Sequence, residues 1–198
     1  MPRNLIVVPA FNEEAALAKT VNSLNILPPE YDVVIVNDGS TDRTGSIAND
    51  LAKERDRRIF MLHLPYNLGI GGAMQTAFRF AVQQGDYEYL VQFDSDGQHD
   101  PAYVEKLVEA SRTQNLDLCV GSRFLDADLD PGFRSTWMRR IGIRFFAMLI
   151  SMLSGVYVTD PTSGFRCMGP RAWKRFARHY PEDYPEPEAL FWCARSSL

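Results

Sequence analysis

Short, almost wholly apolar runs recur along the first 120 residues, and a segment with helical spacing follows most of them. Runs of this kind, rich in Val, Ile and Leu, are typical of strands buried on both faces of a sheet. Their regular alternation with helices predicts an α/β fold, with a mostly parallel central sheet and helices on both faces. The runs are residues 5–8, 32–36, 59–62, 87–93 and 116–120.

Two helix starts are marked by side chains. Asn12 precedes two acidic residues at the start of segment 13–27, which favours a helix capped by Asn12. Asp100 precedes Pro101, a residue favoured in the first turn of a helix, and predicts a second capped start. A further helix is expected over residues 73–84.

Polar residues cluster at or just after four of the predicted strands. The carboxyl ends of parallel strands share one edge of a sheet, so these clusters are expected to converge there. Together they suggest a pocket with a metal, a hydrogen-bonding floor and acids that could hold sugar or ribose hydroxyls. The clusters are residues 9–14, 37–42, 94–100 and 121–124.

Asp94 and Asp96 lie one residue apart, directly after the run 87–93. A hard cation such as Mg²⁺ or Mn²⁺ commonly binds through one or two carboxylates plus substrate phosphates. The same residues also fit an ordinary strand-to-helix turn with solvated acids, and this stretch alone does not decide between the two. The other clusters at strand ends favour the metal site.

Composition sets the class of protein. A chain of 198 residues can form one well-packed domain, and its net charge of −4 gives no support for bulk nucleic-acid binding. Three cysteines without ligand-like spacing predict reduced thiols in a cytosolic protein. No signal peptide is visible, and the longest apolar run, residues 145–153, is too short to span a bilayer. The helical pattern of the last residues predicts truncation at the C-terminus.

The pattern changes after Phe124. The segment from Arg134 to Gly155 predicts a long helix or a broken pair of helices in which arginines alternate with aromatic residues. An ordinary core helix with a basic end fits this pattern and is favoured. An interfacial helix that meets lipid head groups or an anionic acceptor also fits, and would place the protein at the inner face of the cell membrane.

Five motifs resemble those of family 2 glycosyltransferases with a GT-A fold, nearest the polyprenyl- and dolichyl-phosphate sugar synthases. They cover nearly the whole chain in family order: VPAFNEE at 8–14, VNDGSTD at 36–42, NLG at 67–69, DSDGQ at 94–98 and DPTSGFR at 160–166. The resemblance implies a single domain over residues 1–198, with a nucleotide-sugar-binding half, 1–124, and an acceptor-side half, 125–198. A Gln-x-x-Arg-Trp motif is missing, which argues against a polymer synthase.

The resemblance also implies roles for single residues. A GDP- or UDP-sugar would be bound with Asp38 at its base or ribose, and Mg²⁺ or Mn²⁺ would be held by Asp96 and Gln98. Arg123 and Arg166 would hold phosphates. The implied donor contacts are Pro9, Ala10, Asn12, Glu14, Asp38, Gly69, Asp94, Ser95 and Arg123.

The implied reaction is a single in-line displacement that inverts the anomeric centre, with Asp160 and Arg166 as catalytic residues. With a saccharide hydroxyl as acceptor, Asp160 would be the general base; with a polyprenyl phosphate, already an anion, it would only orient a group.

The phosphate acceptor is the preferred hypothesis. Transfer to a hydroxyl in cell-surface polysaccharide or glycolipid assembly, and an inactive nucleotide-sugar-binding protein, are the alternatives. A nucleotidyltransferase is disfavoured, since no Gly-rich loop followed by Arg and Lys lies near the N-terminus.

Overall fold

The computed structural model describes residues 3–53, 58–97, 99–122, 151–152, 160–182 and 185–195. A six-stranded sheet runs through this part of the chain. Its strands are β1 (Arg3–Ala10), β2 (Tyr31–Asp38), β3 (Ile59–Leu64), β4 (Tyr87–Gln92), β5 (Leu118–Val120) and β6 (Arg166–Met168), in the order β3-β2-β1-β4-β6-β5.

The sheet is mostly parallel, as predicted. β1 pairs in parallel with both β2 and β4, and β2 pairs in parallel with β3. β6 runs antiparallel to both of its neighbours, β4 and β5. Therefore β5 points in the same direction as β4, and the α/β fold class is confirmed.

Helices cover both faces of the sheet. They are α1 (Leu17–Ser23), α2 (Thr44–Leu51), α3 (Gly69–Gln84), α4 (Val104–Thr113), α5 (Pro170–Phe176) and α6 (Pro185–Arg195), with 3₁₀ turns at Leu24–Ile26 and Pro101–Tyr103.

Alternate residues of β1 supply the two cores. Ile6 and Val8 pack with α1, α2 and α4 on one face, while Leu5 and Val7 pack with α3, α5 and α6 on the other. A strand whose every second side chain enters a different core has no polar face. This explains why the sequence of β1 is apolar from Leu5 to Ala10.

The start of the first helix differs from the prediction. α1 begins at Leu17, and Asn12 has a φ of 55°, in the left-handed region rather than the extended conformation of an N-cap. The side-chain oxygen of Asn12 instead accepts a hydrogen bond from the backbone of Thr41 at 2.9 Å. The predicted cap at Asn12 is therefore wrong, because a contact with another loop takes up the acceptor.

The second predicted cap is confirmed. Asp100 has extended backbone and accepts a hydrogen bond from the backbone N–H of Ala102 at 2.9 Å. The turn that it caps is 3₁₀, and α4 begins only at Val104. The third helix begins earlier than predicted, at Gly69 instead of residue 73.

The strand order places a crevice beside β1. From β1 the chain moves outward through β2 and β3, then crosses to β4 on the other side of β1. Ligands of open α/β sheets bind where the strand order reverses in this way, at the carboxyl ends of the strands. Because β1, β2, β4 and β5 point in the same direction, the four polar clusters follow strands that end at this edge.

Several predicted features lie outside the described residues. They are Gln98, Arg123 and, apart from residues 151–152, the basic and aromatic segment 134–155. Among the helices that the structure does describe, none is long and apolar enough to cross a membrane.

The packing of α3 on the C-terminal helices gives a stability prediction. Phe78 is fully buried and its ring contacts the rings of Phe176 and Tyr180 at centroid distances of 5.8 and 5.1 Å. Phe78→Ala should lower the free energy of unfolding by about 3–5 kcal/mol, because the cavity cannot refill. Urea denaturation measures it. Val82→Ala on the same helix removes a side chain that is 50% exposed and should change little; equal losses in both variants would contradict the packing described.

Candidate active site

A cleft of about 390 Å³ opens at the carboxyl edge of the sheet, in the crevice between the loops that follow β1, β2 and β4. Sites for small molecules usually measure about 300–1,000 Å³. It is lined by Pro9, Ala10, Phe11, Glu13, Asp38, Asn67, Gly69, Ile70, Ala73, Asp94, Ser95 and Asp96.

Most residues singled out from the sequence meet in this cleft. Of the proposed donor and metal residues, those that line it are Pro9, Ala10, Asp38, Gly69, Asp94, Ser95 and Asp96. The structure adds Phe11, Glu13, Asn67, Ile70 and Ala73, which the sequence did not single out. Phe11, Glu13 and Asn67 lie inside the quoted motifs, so a closer look at those motifs could have found them. Ile70 and Ala73 are brought in by the earlier start of α3.

Asp38 ties two walls of the cleft together. It is buried at the end of β2, and its Oδ1 accepts a hydrogen bond of 2.7 Å from the backbone N–H of Leu68. Gly39, with a φ of 67°, lies so close to the backbone of Tyr66 and Asn67 that a Cβ would collide with it. The loop after β2 therefore needs glycine here to rest against the loop before α3.

Asp94 is held by neighbours on two sides. Its Oδ1 accepts from the amide of Gln92 at 3.1 Å, and its Oδ2 lies 3.0 Å from Nε2 of His99. Burial by itself would raise the pKa of Asp94, but the hydrogen bonds and charge of His99, together with Gln92, outweigh it and lower the pKa. The His99 ring stacks on Phe165 at 5.1 Å, which fixes its orientation. His99 lies in the polar cluster 94–100, but the sequence analysis gave it no role.

The turn before β6 closes against Asp94. A Cβ on Gly164 would collide with the Asp94 carboxylate, so a larger residue at this place in the DPTSGFR motif would displace that carboxylate. The hydroxyl of Ser163 donates to the carbonyl of Gly121 at 2.7 Å, which joins the turn to the end of β5. The motif therefore supports the carboxylate from the side opposite β1.

Arg166 does not line the cleft, and its part in holding phosphates stays a prediction. The residue is 1% exposed. Its guanidinium donates to the carbonyls of Ser163, Pro161 and Glu186 at 2.7, 2.8 and 2.6 Å. These hydrogen bonds join the turn before β6 to the start of α6, and they leave the guanidinium buried.

Asp160 is also 1% exposed and does not line the cleft. The hydroxyl of Thr162 donates to its Oδ1 at 3.2 Å. The negative charge of Asp160 also lies near the buried charge of Arg166.

Asn12 and Glu14 lie beside the cleft and do not line it. Both side chains turn towards the loop after β2, where they accept hydrogen bonds from the backbone of Thr41 and Arg43. A direct contact with a donor stays a prediction for these two residues.

Acidic groups converge at the mouth of the cleft. Burial raises the pKa of Glu13, and the negative charges of Asp96 and Asp42 raise it further. A bound cation would relieve this repulsion. Within the described residues no group of three or more His, Cys, Asp and Glu side chains is arranged to hold a metal. One or two carboxylates suffice where substrate phosphates complete the shell of Mg²⁺ or Mn²⁺, so the acidic oxygen chemistry fits such an ion.

Comparison with known proteins identifies the family to which the chain belongs. The model of glycosyl transferase family 2 matches residues 5–172. An undecaprenyl-phosphate mannosyltransferase of Micrococcus luteus is 35% identical over 83% of this chain and 65% of its own length. A polyprenol monophosphomannose synthase of Mycolicibacterium smegmatis is 30% identical over 83% of this chain and 60% of its own length. The chain therefore spans less than two thirds of these relatives, and the resemblance read from the motifs is confirmed.

Solved structures share the fold. Glucosyl-3-phosphoglycerate synthase from Mycobacterium tuberculosis, in complex with phosphoglyceric acid, superposes with a TM-score of 0.70 at 21% identity, over 98% of this chain and 66% of that one. The same enzyme in complex with Mn²⁺, uridine diphosphate and glucosyl-3-phosphoglycerate superposes with a TM-score of 0.62 at 21% identity, over 86% and 58%.

The contact between His99 and Asp94 gives a prediction on pH. His99→Phe keeps a ring against Phe165 but removes the hydrogen bond, so the pKa of Asp94 should rise towards or above its usual value. A lowered pKa stabilises the fold above the unfolded pKa, and that stabilisation is lost as pH falls through the folded pKa. The variant should therefore lose its stability at a higher pH on acidification.

The measurement is an NMR titration of the Asp94 carboxyl carbon in metal-free protein. His179→Phe serves as the matched control, because His179 stacks on Trp192 instead. An unchanged Asp94 pKa in His99→Phe would show that the hydrogen bond does not hold the carboxylate in its charged form.

Proposed function

This chain belongs to glycosyl transferase family 2, and we propose that it transfers a sugar from a nucleotide-sugar donor to a polyprenyl phosphate, with Mg²⁺ or Mn²⁺ and with inversion at the anomeric carbon. The proposal rests mainly on the cleft, where Asp38 ends β2 and Asp94 and Asp96 follow β4, the two strands on either side of β1 at the switch point of the sheet. The names of the relatives from M. luteus and M. smegmatis support the class of acceptor.

The donor fits the cleft by its chemistry. Asp38 is buried with one carboxylate oxygen bound to Leu68, so its other oxygen can accept from a base N–H or a ribose hydroxyl. Phe11 supplies an apolar wall. Gly69, Ile70 and Ala73 bring the first turn of α3 to the cleft, and the N-terminal end of a helix favours anions such as a diphosphate. The donor nucleotide can be GDP or UDP.

Asp96 is the proposed protein ligand of the metal, with Gln98 as a second. When bound, the ion would act as a Lewis acid on the leaving diphosphate, whose negative charge grows as the anomeric C–O bond breaks. Asp94, with both oxygens engaged by Gln92 and His99, is better suited to hold the ribose or the outer shell of the ion. The complex of the M. tuberculosis enzyme with Mn²⁺ supports the choice of ion.

The burial of Asp160 favours a phosphate acceptor. A general base must come within hydrogen-bond reach of the proton that it removes. Asp160 is 1% exposed and does not line the cleft, so it is poorly placed to touch a hydroxyl. A polyprenyl phosphate needs no base, since an oxygen that already carries negative charge attacks the anomeric carbon as the bond to the diphosphate breaks. In this reaction Asp160 and Arg166 act by positioning the turn that abuts Asp94.

The metal assignment predicts the effect of removing one carboxylate. Asp96→Ala should lower the rate of metal-dependent turnover by about a hundredfold or more, because a Lewis acid contributes several kcal/mol. Transfer from radiolabelled GDP-mannose, UDP-glucose and UDP-GlcNAc to a short polyprenyl phosphate measures it, with and without Mn²⁺. Asp50→Asn, on the exposed face of α2, is the control and should keep full activity. Unchanged turnover in Asp96→Ala would refute the metal site, and turnover with none of the donors would leave the inactive binding protein as the better explanation.

The role of Asp160 separates the two acceptor classes. If the acceptor is a phosphate, Asp160→Asn should reduce kcat by less than about tenfold, because no proton is removed. If a saccharide hydroxyl is the true acceptor, loss of the base should cost about 10²–10⁴-fold. Steady-state kinetics with a polyprenyl phosphate and with a panel of saccharides compares them, with the melting temperature as control for folding. A severe loss confined to a saccharide acceptor would favour the alternative function.

A further inference from the structure

Two loops at the cleft are joined by reciprocal hydrogen bonds, which we call the loop clasp: residues 12–14 after β1 and residues 40–44 after β2. Three successive backbone N–H groups of the first loop donate to side chains of the second. Their acceptors are Oγ of Ser40 for Asn12 at 2.9 Å, Oγ1 of Thr44 for Glu13 at 2.7 Å and Oδ2 of Asp42 for Glu14 at 3.1 Å.

Backbone N–H groups of the second loop also donate to side chains of the first. The backbone N–H of Thr41 donates to Oδ1 of Asn12 at 2.9 Å, and the backbone N–H of Arg43 donates to Oε2 of Glu14 at 3.0 Å. Nε of Arg43 reaches the same oxygen at 3.2 Å. Five backbone N–H groups that no helix or strand would satisfy are thus bound by side chains of the opposite loop.

The clasp lies beside the cleft, and Glu13 is its one member among the lining residues. Its own side-chain acceptors are absent from the lining, whereas Phe11 and Glu13 line the cleft from the first loop. Asp38 lines it from the end of β2, two residues before Ser40. Every clasp bond is therefore made either by Glu13, which lines the cleft, or by one of its two chain neighbours, Asn12 and Glu14.

We propose that the loop clasp is a positioning device for the nucleotide-sugar donor, in which Asn12, Glu14 and Thr44 act on the donor only through Phe11, Glu13 and Asp38. This inference rests on the proposed function and deepens it. Residues 12–14 of the first motif and residues 40–42 of the second, with Arg43 and Thr44 after them, stabilise the site through contacts outside the cleft. Loops that are already ordered lose less conformational entropy when a ligand binds, so the clasp strengthens donor binding.

Thr44 provides the sharpest test. It is fully buried, its hydroxyl accepts from the backbone N–H of Glu13, and its own backbone N–H donates to Oδ1 of Asp42 at 2.9 Å. Thr44→Val keeps the shape and removes the hydroxyl that binds Glu13, while Thr44→Ser keeps that hydroxyl. Thr44→Val should raise the donor KM about three- to tenfold, which is the usual net effect of one hydrogen bond, and Thr44→Ser should stay near the parent value. The kcat and the acceptor KM should stay unchanged in both.

A merely structural role would give a different pattern. In that case Thr44→Val would lower the melting temperature and the active fraction, with the donor KM of the remaining active enzyme unchanged. That result would overturn the proposal. The donor dissociation constant, measured by calorimetry with Mn²⁺ at a temperature well below the melting point, separates the two even if the variant is less stable.

Glu14 gives an independent pair of variants. Glu14→Gln retains an acceptor oxygen for the backbone of Arg43, and Glu14→Ala removes it. Only Glu14→Ala should weaken donor binding, and its effect should combine non-additively with that of Thr44→Val, because both loosen the same pair of loops. Equal weakening by Gln and Ala would point to the charge of Glu14 rather than to the clasp, and would also overturn the proposal.

The two levels of inference fail in different ways. If the parent protein binds no nucleotide sugar, the proposed function is wrong. If it binds one and the Thr44 and Glu14 variants bind it equally well, the proposed function stands and the clasp has no part in positioning the donor.

Discussion

The parallel pairing of β1 with both β2 and β4 is the constraint on which the rest of the structure depends. A strand with neighbours on both sides and helices on both faces favours apolar side chains, and β1 is buried from Asn4 to its end and apolar from Leu5 onward. Its carboxyl end is also the point where the connections diverge, so the first polar residues after it enter a crevice rather than a flat surface. The cleft is a consequence of the order of strands, before any particular side chain is considered.

This dependence explains what the sequence could predict. The strands β1 to β4 are runs of apolar residues with turn signals behind them, and the polar clusters at their ends needed only the rule of the shared edge. The position of the site could be predicted for the same reason, because Asp38 lies at the end of β2 and Asp94 and Asp96 follow β4. The roles of Asn12 and Arg166 could not be placed, because their partners come from elsewhere in the fold. The cap acceptor of Asn12 is taken by the loop after β2, and the guanidinium of Arg166 is taken by carbonyls that include one from α6.

Two carboxylates of the cleft have pKa values that are shifted in opposite directions. Asp94 has donors on both oxygens, and its pKa is lowered despite burial. Burial raises the pKa of Glu13, and the acids around it raise that pKa further where Asp94 has donors instead. The two groups lie in the same cleft, and the difference follows from their partners rather than from depth. Gly164 belongs to this balance, since any larger residue would push the Asp94 carboxylate away from its donors.

The antiparallel direction of β6 has a consequence for how such a protein can diversify. A strand that runs against its neighbours brings the residues before it, not those after it, to the edge where the parallel strands end. The turn that precedes β6 is pinned to the end of β5, with the backbone of Gly121 bound to Phe165 and its carbonyl bound to Ser163. The two described ends of the intervening stretch, Gly121 and the turn before β6, are thus held together at one fixed point. Lengthening a connection between fixed ends costs little free energy, about 0.6 kcal/mol for each doubling. A change in the number of residues between these two ends can therefore leave the frame of the cleft unchanged.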